Sequence, residues 1–175
     1  MQKQLDSNRK PHLNVSTPSD TMHGYDWFEM WYQDVPGYNI RSNLLFTMNL
    51  EPDGNLYSYK NTSFFPIDGQ GYGNQGNSHN YWFTFEIHSY FTFTGNEYFN
   101  ITADDDYWLF LDNKLVLDLG GIHSAVSKTL YLNTLGLTSG KTYNFDFFFA
   151  ERHTTQSNLV LFTNITFTVL SLFYC

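Results

Sequence analysis

Cysteine occurs once in these 175 residues, at Cys175. No internal disulfide can form, and the cysteine pattern does not report a redox compartment. Metal motifs built from paired cysteines are excluded with it. Basic residues are scarce: nine Lys and Arg face 17 Asp and Glu, for a net charge of -8. That balance excludes a general nucleic-acid binder, which needs a basic face to neutralise phosphates, and it disfavours docking on an anionic membrane. A cation or a neutral polar ligand suits it better. A long hydrophobic run is also missing. The most apolar stretch, residues 159–174, is broken by Thr163, Asn164, Thr166 and Thr168, and it reads as alternation and not as a membrane span. Residues 1–20 are polar, with Lys3, Arg9, Lys10 and Pro11, and lack the apolar stretch of a signal peptide. No export signal is read there, and the segment is expected to be a disordered polar tail.

What the chain has in abundance is aromatic surface: 17 Phe, 13 Tyr and 4 Trp, 19% of all residues. So much large apolar surface rules out a disordered chain, and the length suits one domain, expected over residues 21–175. Tyr25, Trp27, Phe28, Trp31 and Tyr32 cluster at a spacing that fits one short helical face, stopped by Val35-Pro36-Gly37. Beyond it the pattern is β. Residues 44–50 and 55–59 read as strands joined by Glu51-Pro52-Asp53-Gly54. A loop rich in Gly and Asn covers 68–80. Alternating strands follow over 82–88, 98–102, 107–111, 114–119, 129–132, 143–150 and 159–169, with Asp112-Asn113 as a hairpin turn. No helix longer than about two turns is expected. The fold class is all-β, an antiparallel sandwich or barrel with long loops.

The strongest local signal is Asp104-Asp105-Asp106, between one strand and the next. At about 4 Å and an effective dielectric near 20, each pair of carboxylates repels by roughly 4 kcal/mol before screening. A confined site must answer that charge with a cation, an Arg or a proton. Crowded oxygens suit Ca²⁺, which accepts six to eight oxygen ligands without strict geometry; the alternative is a solvated acidic turn. The loop 151–158 offers Glu151, Arg152, His153, Thr154, Thr155, Gln156, Ser157 and Asn158 directly after a core strand, an arrangement suited to a polar ligand. The alternative there is a surface pairing of Glu151 with Arg152 or Lys141. His123 follows Gly120-Gly121 and could bond Asp118 or Glu151. Pairing Asp104 or Asp106 with Glu151 as acid and base is conceivable, but no spacing selects it. No Ser/His/Asp nucleophile motif, zinc motif or phosphate loop occurs, so no enzyme is expected. Four Asn-X-Ser/Thr sequons stand at Asn14, Asn61, Asn100 and Asn164, where 17 Asn and 30 Ser plus Thr predict roughly three by chance. Glycosylation is expected at Asn61, Asn100 and Asn164, the last two on the outward phase of their strands.

Several segments together carry a resemblance: Phe64-Phe65-Pro66-Ile67-Asp68-Gly69, His79-Asn80-Tyr81-Trp82-Phe83-Thr84, Ala103-Asp104-Asp105-Asp106-Tyr107-Trp108, Asp118-Leu119-Gly120-Gly121-Ile122-His123, Leu132-Asn133-Thr134-Leu135-Gly136-Leu137 and Phe147 through Ser157. Over about residues 26–168 their order and spacing resemble the fibro-slime type of PA14 domain. Within that type they are similar to the secreted prespore-cell-inducing-factor (Psi) proteins of social amoebae. The resemblance implies a PA14-like β-sandwich or barrel, extracellular and not catalytic, used in carbohydrate binding, adhesion or signalling. Its partners would be a glycan or a cell-surface glycoprotein. In the PA14 lectins of yeast adhesins, two adjacent Asp residues joined by a cis peptide hold Ca²⁺, which bridges to sugar hydroxyls. By that likeness Asp104 and Asp105 would be the metal pair, with Asn158 as a further metal ligand. Asp106 takes the variable third place and joins His123, Glu151, Arg152 and His153 around the ligand. The family's signal peptide and opening strand have no counterpart in the polar tail. The expectations therefore include a domain without its first strand, and two rivals to the lectin: a secreted protein-binding signalling factor whose Asp cluster is structural, and a truncated, inactive member.

Overall fold

The computed structural model describes residues 1–14, 25–121, 123–168 and 171–174. After a single helical turn, α1 (Tyr25–Phe28), the described residues form ten strands: β1 (Asn49–Leu50), β2 (Tyr57–Asn61), β3 (Phe83–Thr92), β4 (Tyr98–Asp104), β5 (Asp106–Leu111), β6 (Lys114–Leu119), β7 (Val126–Tyr131), β8 (Thr142–Glu151), β9 (Asn158–Thr163) and β10 (Ser171–Tyr174). They make two five-stranded sheets, ordered β1-β2-β9-β4-β7 and β10-β3-β8-β5-β6, and every strand pair is antiparallel. The fold is the β-sandwich that the alternation predicts.

Period-two patterning builds the core. Tyr143, Phe145, Phe147 and Phe149 of β8 face inward with Phe83, Phe85 and Ile87 of β3 and meet Phe99, Ile101, Leu159 and Leu161 of the other sheet. Phe99 bridges the sheets, with its ring 5.5 Å from Phe145. Asp112 and Asn113 both adopt positive φ, 45° and 65°, as a two-residue turn matched to strand twist requires.

The middle of the second sheet is buried on both faces. Trp108, Phe110 and Phe148 point away from the sandwich interior, into a second apolar cluster with Leu5, Leu13, Phe28 and Tyr32. This is why β5 is buried at every position, where a half-solvated strand would alternate. The covering layer includes residues 1–14, which corrects the expectation of a disordered tail over 1–20; residues 15–20 lie outside the described residues. Gln4 bridges Lys114, the Leu115 amide donates to the Lys3 carbonyl at 3.0 Å, and the Leu5 amide donates to the Asn113 carbonyl at 3.1 Å. This short extended piece pairs with the edge of β6, where the expectation leaves the domain's first strand absent.

Two further differences have local causes. The apolar pattern over 159–169 reads as one strand, but β9 ends at Thr163. There the Asn164 side chain accepts the Tyr98 amide at 2.9 Å and donates to the Asn96 carbonyl at 3.1 Å. The chain then crosses to the second sheet, where Phe167 bridges Phe91. Of the strand expected over 44–50, only Asn49–Leu50 pairs. Gly120 ends β6 against the Trp108 indole; a Cβ there would lie 2.9 Å from the ring.

Phe149 is fully buried and touches the rings of Phe64, Phe83 and Phe85. Phe149→Ala should lower stability by about 3–5 kcal/mol in urea unfolding. Leu45→Ala, at a position 88% exposed, should change it by under about 0.5 kcal/mol. Equal effects would contradict this core.

Candidate functional site

The three aspartates form the corner at which the chain leaves one sheet and enters the other. Asp104 ends β4, Asp106 opens β5, and the Asp104–Asp105 peptide is cis. A solvated acidic turn is excluded: Asp104, Asp105 and Asp106 are 4%, 3% and 0% exposed. Each carboxylate points to a different neighbour. Asp104 lies opposite Asn158 in the β4–β9 register and accepts from the Asn158 backbone amide at 2.5 Å and the Asn158 side-chain amide at 2.7 Å. Asp106 accepts from Arg152 Nε at 2.5 Å and a terminal Arg152 nitrogen at 3.1 Å, and its Oδ1 also takes the Gly121 amide. Such a two-point guanidinium pairing is the strong form of the carboxylate–arginine contact. The Arg152 guanidinium also lies 5.4 Å from the centre of the Trp31 ring.

Asp105 is the remaining member. Its Oδ2 is buried and meets no hydrogen-bond partner among the described residues. Burial, reinforced by the charge of Asp106, pushes its pKa above the ordinary aspartate value, against the opposing effects of Arg152 and His153. Glu151, at the end of β8, shares this corner. Burial pushes its carboxyl up to about 8, and the charges of Asp105 and Asp104 add to the rise, against the His153 backbone amide, which donates to Oε1 at 3.0 Å. The fully buried Ser157 side chain neighbours the Glu151 carboxyl and, like the His153 amide, opposes the rise. The Ser157 carbonyl accepts the Phe64 amide at 2.9 Å, which ties the loop to the segment before β3.

The corner therefore gathers Asp104, Asp105, Glu151 and Asn158. His153 lies on the exposed rim, with Nδ1 3.0 Å from the Thr155 hydroxyl. Asp106 and Arg152 pair with each other behind the corner. The His123 ring nitrogens lie 3.0 Å from the Ser124 carbonyl and 3.4 Å from the Leu119 carbonyl, so backbone carbonyls take the place of the carboxylate partner considered for it, Asp118 or Glu151. Glu151 likewise lies buried, away from the surface pairing considered for it. In the sequence Ser157 is one polar residue among the loop 151–158; its full burial is set by the fold.

Asn61, Asn100 and Asn164 are half-buried, and Asn14 is exposed. The Asn100 side-chain amide donates to the Thr129 hydroxyl at 2.7 Å, Asn164 holds the bonds that end β9, and the Asn61 amide lies 3.4 Å from the Tyr59 hydroxyl.

Among the described residues, no group of three or more His, Cys, Asp or Glu side chains is placed to hold a metal by itself. An ion at this corner would draw on Asp104, Asp105, the Asn158 amide oxygen and oxygens from other sources. Hard oxygen donors and a buried, unpartnered carboxylate oxygen fit Ca²⁺ in kind. No helix among the described residues is long and apolar enough to cross a membrane.

Glu151 gives a pH dependence. Its pKa is raised on folding, so between about 4.5 and about 8 the native chain binds more protons than the unfolded one. Stability therefore falls as pH rises through that window, and the loss is complete above it. In metal-free buffer, Glu151→Gln should flatten the slope and raise stability at pH 9 by on the order of a few kcal/mol, read by urea unfolding at pH 5, 7 and 9. A variant as steep as its parent would count against a protonated Glu151.

Comparison with known proteins matches the PA14 domain model to residues 52–169, a span that contains the whole corner. Protein psiQ of Dictyostelium discoideum is 38% identical over 94% of this chain, and protein psiC of the same organism is 42% identical over 88%. The chain spans only 18% and 32% of the length of those two relatives. Among solved structures, a GH31 alpha-xylosidase from Xanthomonas citri overlaps 51% of this chain and 11% of its own, at 14% identity and a TM-score of 0.30. That likeness is too low to build on.

Proposed function

The chain belongs to the PA14 domain family, and from that premise we propose that it is a non-catalytic, extracellular recognition module that binds a glycan through Ca²⁺ held at the sheet-to-sheet corner. The observation that carries this reading is the buried Asp105 oxygen without a hydrogen-bond partner, beside Asp104 and Asn158. A buried anionic oxygen is costly unless it is protonated or paired. A divalent cation would pair it, and Asp104, Asp105 and Asn158 are the residues that would hold the ion. Once bound, Ca²⁺ would supply a positive centre with coordination positions left for hydroxyl oxygens. With few protein carboxylates in reach, water or sugar hydroxyls would complete its shell. The loop 151–158 shapes the approach, with His153 on its exposed rim. Asp106, through Arg152 and Gly121, fixes the corner from behind.

A second reading has support in the same geometry. The Asp104–Asn158 and Asp106–Arg152 contacts are complete within the chain. A cluster so satisfied can serve the fold alone, with recognition of a protein receptor in a signalling role elsewhere on the surface.

Calcium separates the two. If the native state alone binds the ion, its unfolding free energy rises with added Ca²⁺, by about 2.7 kcal/mol at a hundredfold excess over Kd. Asp105→Asn should abolish that rise and, in EGTA, stabilise the chain by removing a buried charge. Calcium-dependent binding on a glycan array, lost in Asp105→Asn, is the expected result. An unfolding midpoint unmoved by millimolar Ca²⁺, with saturable binding to a protein receptor in EGTA, would favour the signalling role.

A further inference from the structure

The outer face of the second sheet holds two buried carboxylates: Glu86 on β3, 3% exposed, and Asp146 on β8, fully buried. His88 stands opposite Asp146 in the β3–β8 register. Its Nδ1 lies 2.5 Å from Asp146 Oδ1 and its Nε2 lies 3.1 Å from Glu86 Oε2. The same two carboxylates receive cations from the N-terminal segment. Arg9 is 2.5 Å from Asp146 Oδ1, and Lys10 Nζ is 2.6 Å from Glu86 Oε2 and 2.5 Å from Oε1. A tight turn places those cations side by side. Asp6 accepts the amides of Asn8 at 2.9 Å and Lys10 at 2.7 Å, and Arg9 takes a positive φ of 61°.

We propose that residues 1–14 form a strap across the second sheet whose hold is set by the proton on His88, because the imidazolium and the strap's cations compete for Glu86 and Asp146. With His88 neutral, two cations meet two carboxylates. With His88 protonated, three cations crowd the same pair, and docking the strap overshoots neutrality in a place shielded from water. The other groups around His88 do not alter this sum. The Phe148 ring packs on it from β8 at 5.6 Å, and β10, whose Ser171 lies opposite His88 in register, carries no charged residue. His12 of the strap is occupied with Asp6 at 3.2 Å and Glu29 at 2.5 Å.

The sign follows from linkage. The strap's cations lower the proton affinity of His88, so the docked state binds fewer protons than the released one, and docking strengthens as pH rises. Burial works against the charged imidazole, but Asp146 and Glu86 outweigh it and hold the docked pKa above 6.5. With the strap released it lies higher still, so the switching window opens above 6.5. Relative to the unfolded chain the sign reverses: the raised His88 pKa stabilises the fold at low pH, and that contribution is lost as pH rises through the folded pKa. Strap and core should therefore respond to pH in opposite directions.

Amide hydrogen exchange on the full chain between pH 6 and 9, corrected for intrinsic rates, tests this. Leu5 and Leu115, whose amides bond the strap to β6, report docking, and Phe147 reports the core. Protection at Leu5 and Leu115 should rise with pH, tenfold for each unit by which docking lowers the His88 pKa, while Phe147 shows no rise. His88→Gln should give flat strap protection. Lys10→Met should weaken strap protection throughout and move the NMR titration of His88 upward, a readout that does not require His88→Gln to fold. Strap protection that ignores pH in the parent chain, pH dependence that persists in His88→Gln, or a His88 titration unmoved by Lys10→Met would each overturn the proposal.

Discussion

Three consecutive carboxylates cannot all be buried at one turn of chain unless each is answered, and the rest of the site is arranged around that constraint. Asp104 is met by the start of β9, and Asp106 by the Arg152 fork and the Gly121 amide. Those two solutions lock β4 to β9 and fix the loop after β8, so they define the geometry in which Asp105 is left with an unpartnered oxygen. The neighbouring Glu151 meets the same shortage of counter-charge by holding its proton, with a pKa pushed up to about 8. One corner thus contains three answers to buried negative charge: amide donors, a guanidinium and a proton. The fourth, a divalent ion, is the one proposed for Asp105.

The outer face of the second sheet solves a related problem with opposite means. There Glu86 and Asp146 are buried among aromatic side chains, and their counter-charges are carried on a segment outside the sandwich. The sheet needs that segment twice: its apolar residues Leu5 and Leu13 cover Phe148 and Phe110, and its Arg9 and Lys10 offset the carboxylates. Electrostatics and burial are therefore coupled on one strap. A shift in the charge state beneath it changes how firmly an apolar face is covered.

Much of the fold was legible because it obeys period two. The inward Tyr and Phe residues of β8, the Asp112-Asn113 turn and the long Gly- and Asn-rich loop after Asp68 all stand where the pattern puts them. What escaped was whatever depends on a partner far along the chain. The polarity of residues 1–14 suggests solvent, because the carboxylates that draw Arg9 and Lys10 inward lie more than 70 positions away. The alternation over 159–169 continues through Asn164, where side-chain bonds to Asn96 and Tyr98 divert the backbone into the other sheet. At the corner, the acidic triplet was conspicuous, but its division of labour was not. Adjacent identical residues differ only in the strand direction each one faces. His123 shows the converse: a histidine near acidic residues in sequence bonds backbone carbonyls in space.

Gly120 sits against the Trp108 indole, whose Nε1 donates to Asp118 at 2.8 Å, and the next residue supplies the amide that Asp106 accepts. Even the smallest side-chain increment at position 120 would press on a ring wedged beneath the strap's apolar cluster and tug the peptide that steadies Arg152. Descendants of this sequence have little latitude at that dipeptide. Diversification has room instead on the exposed rim from His153 to Gln156, where new chemistry can be tried without disturbing the scaffold that presents it.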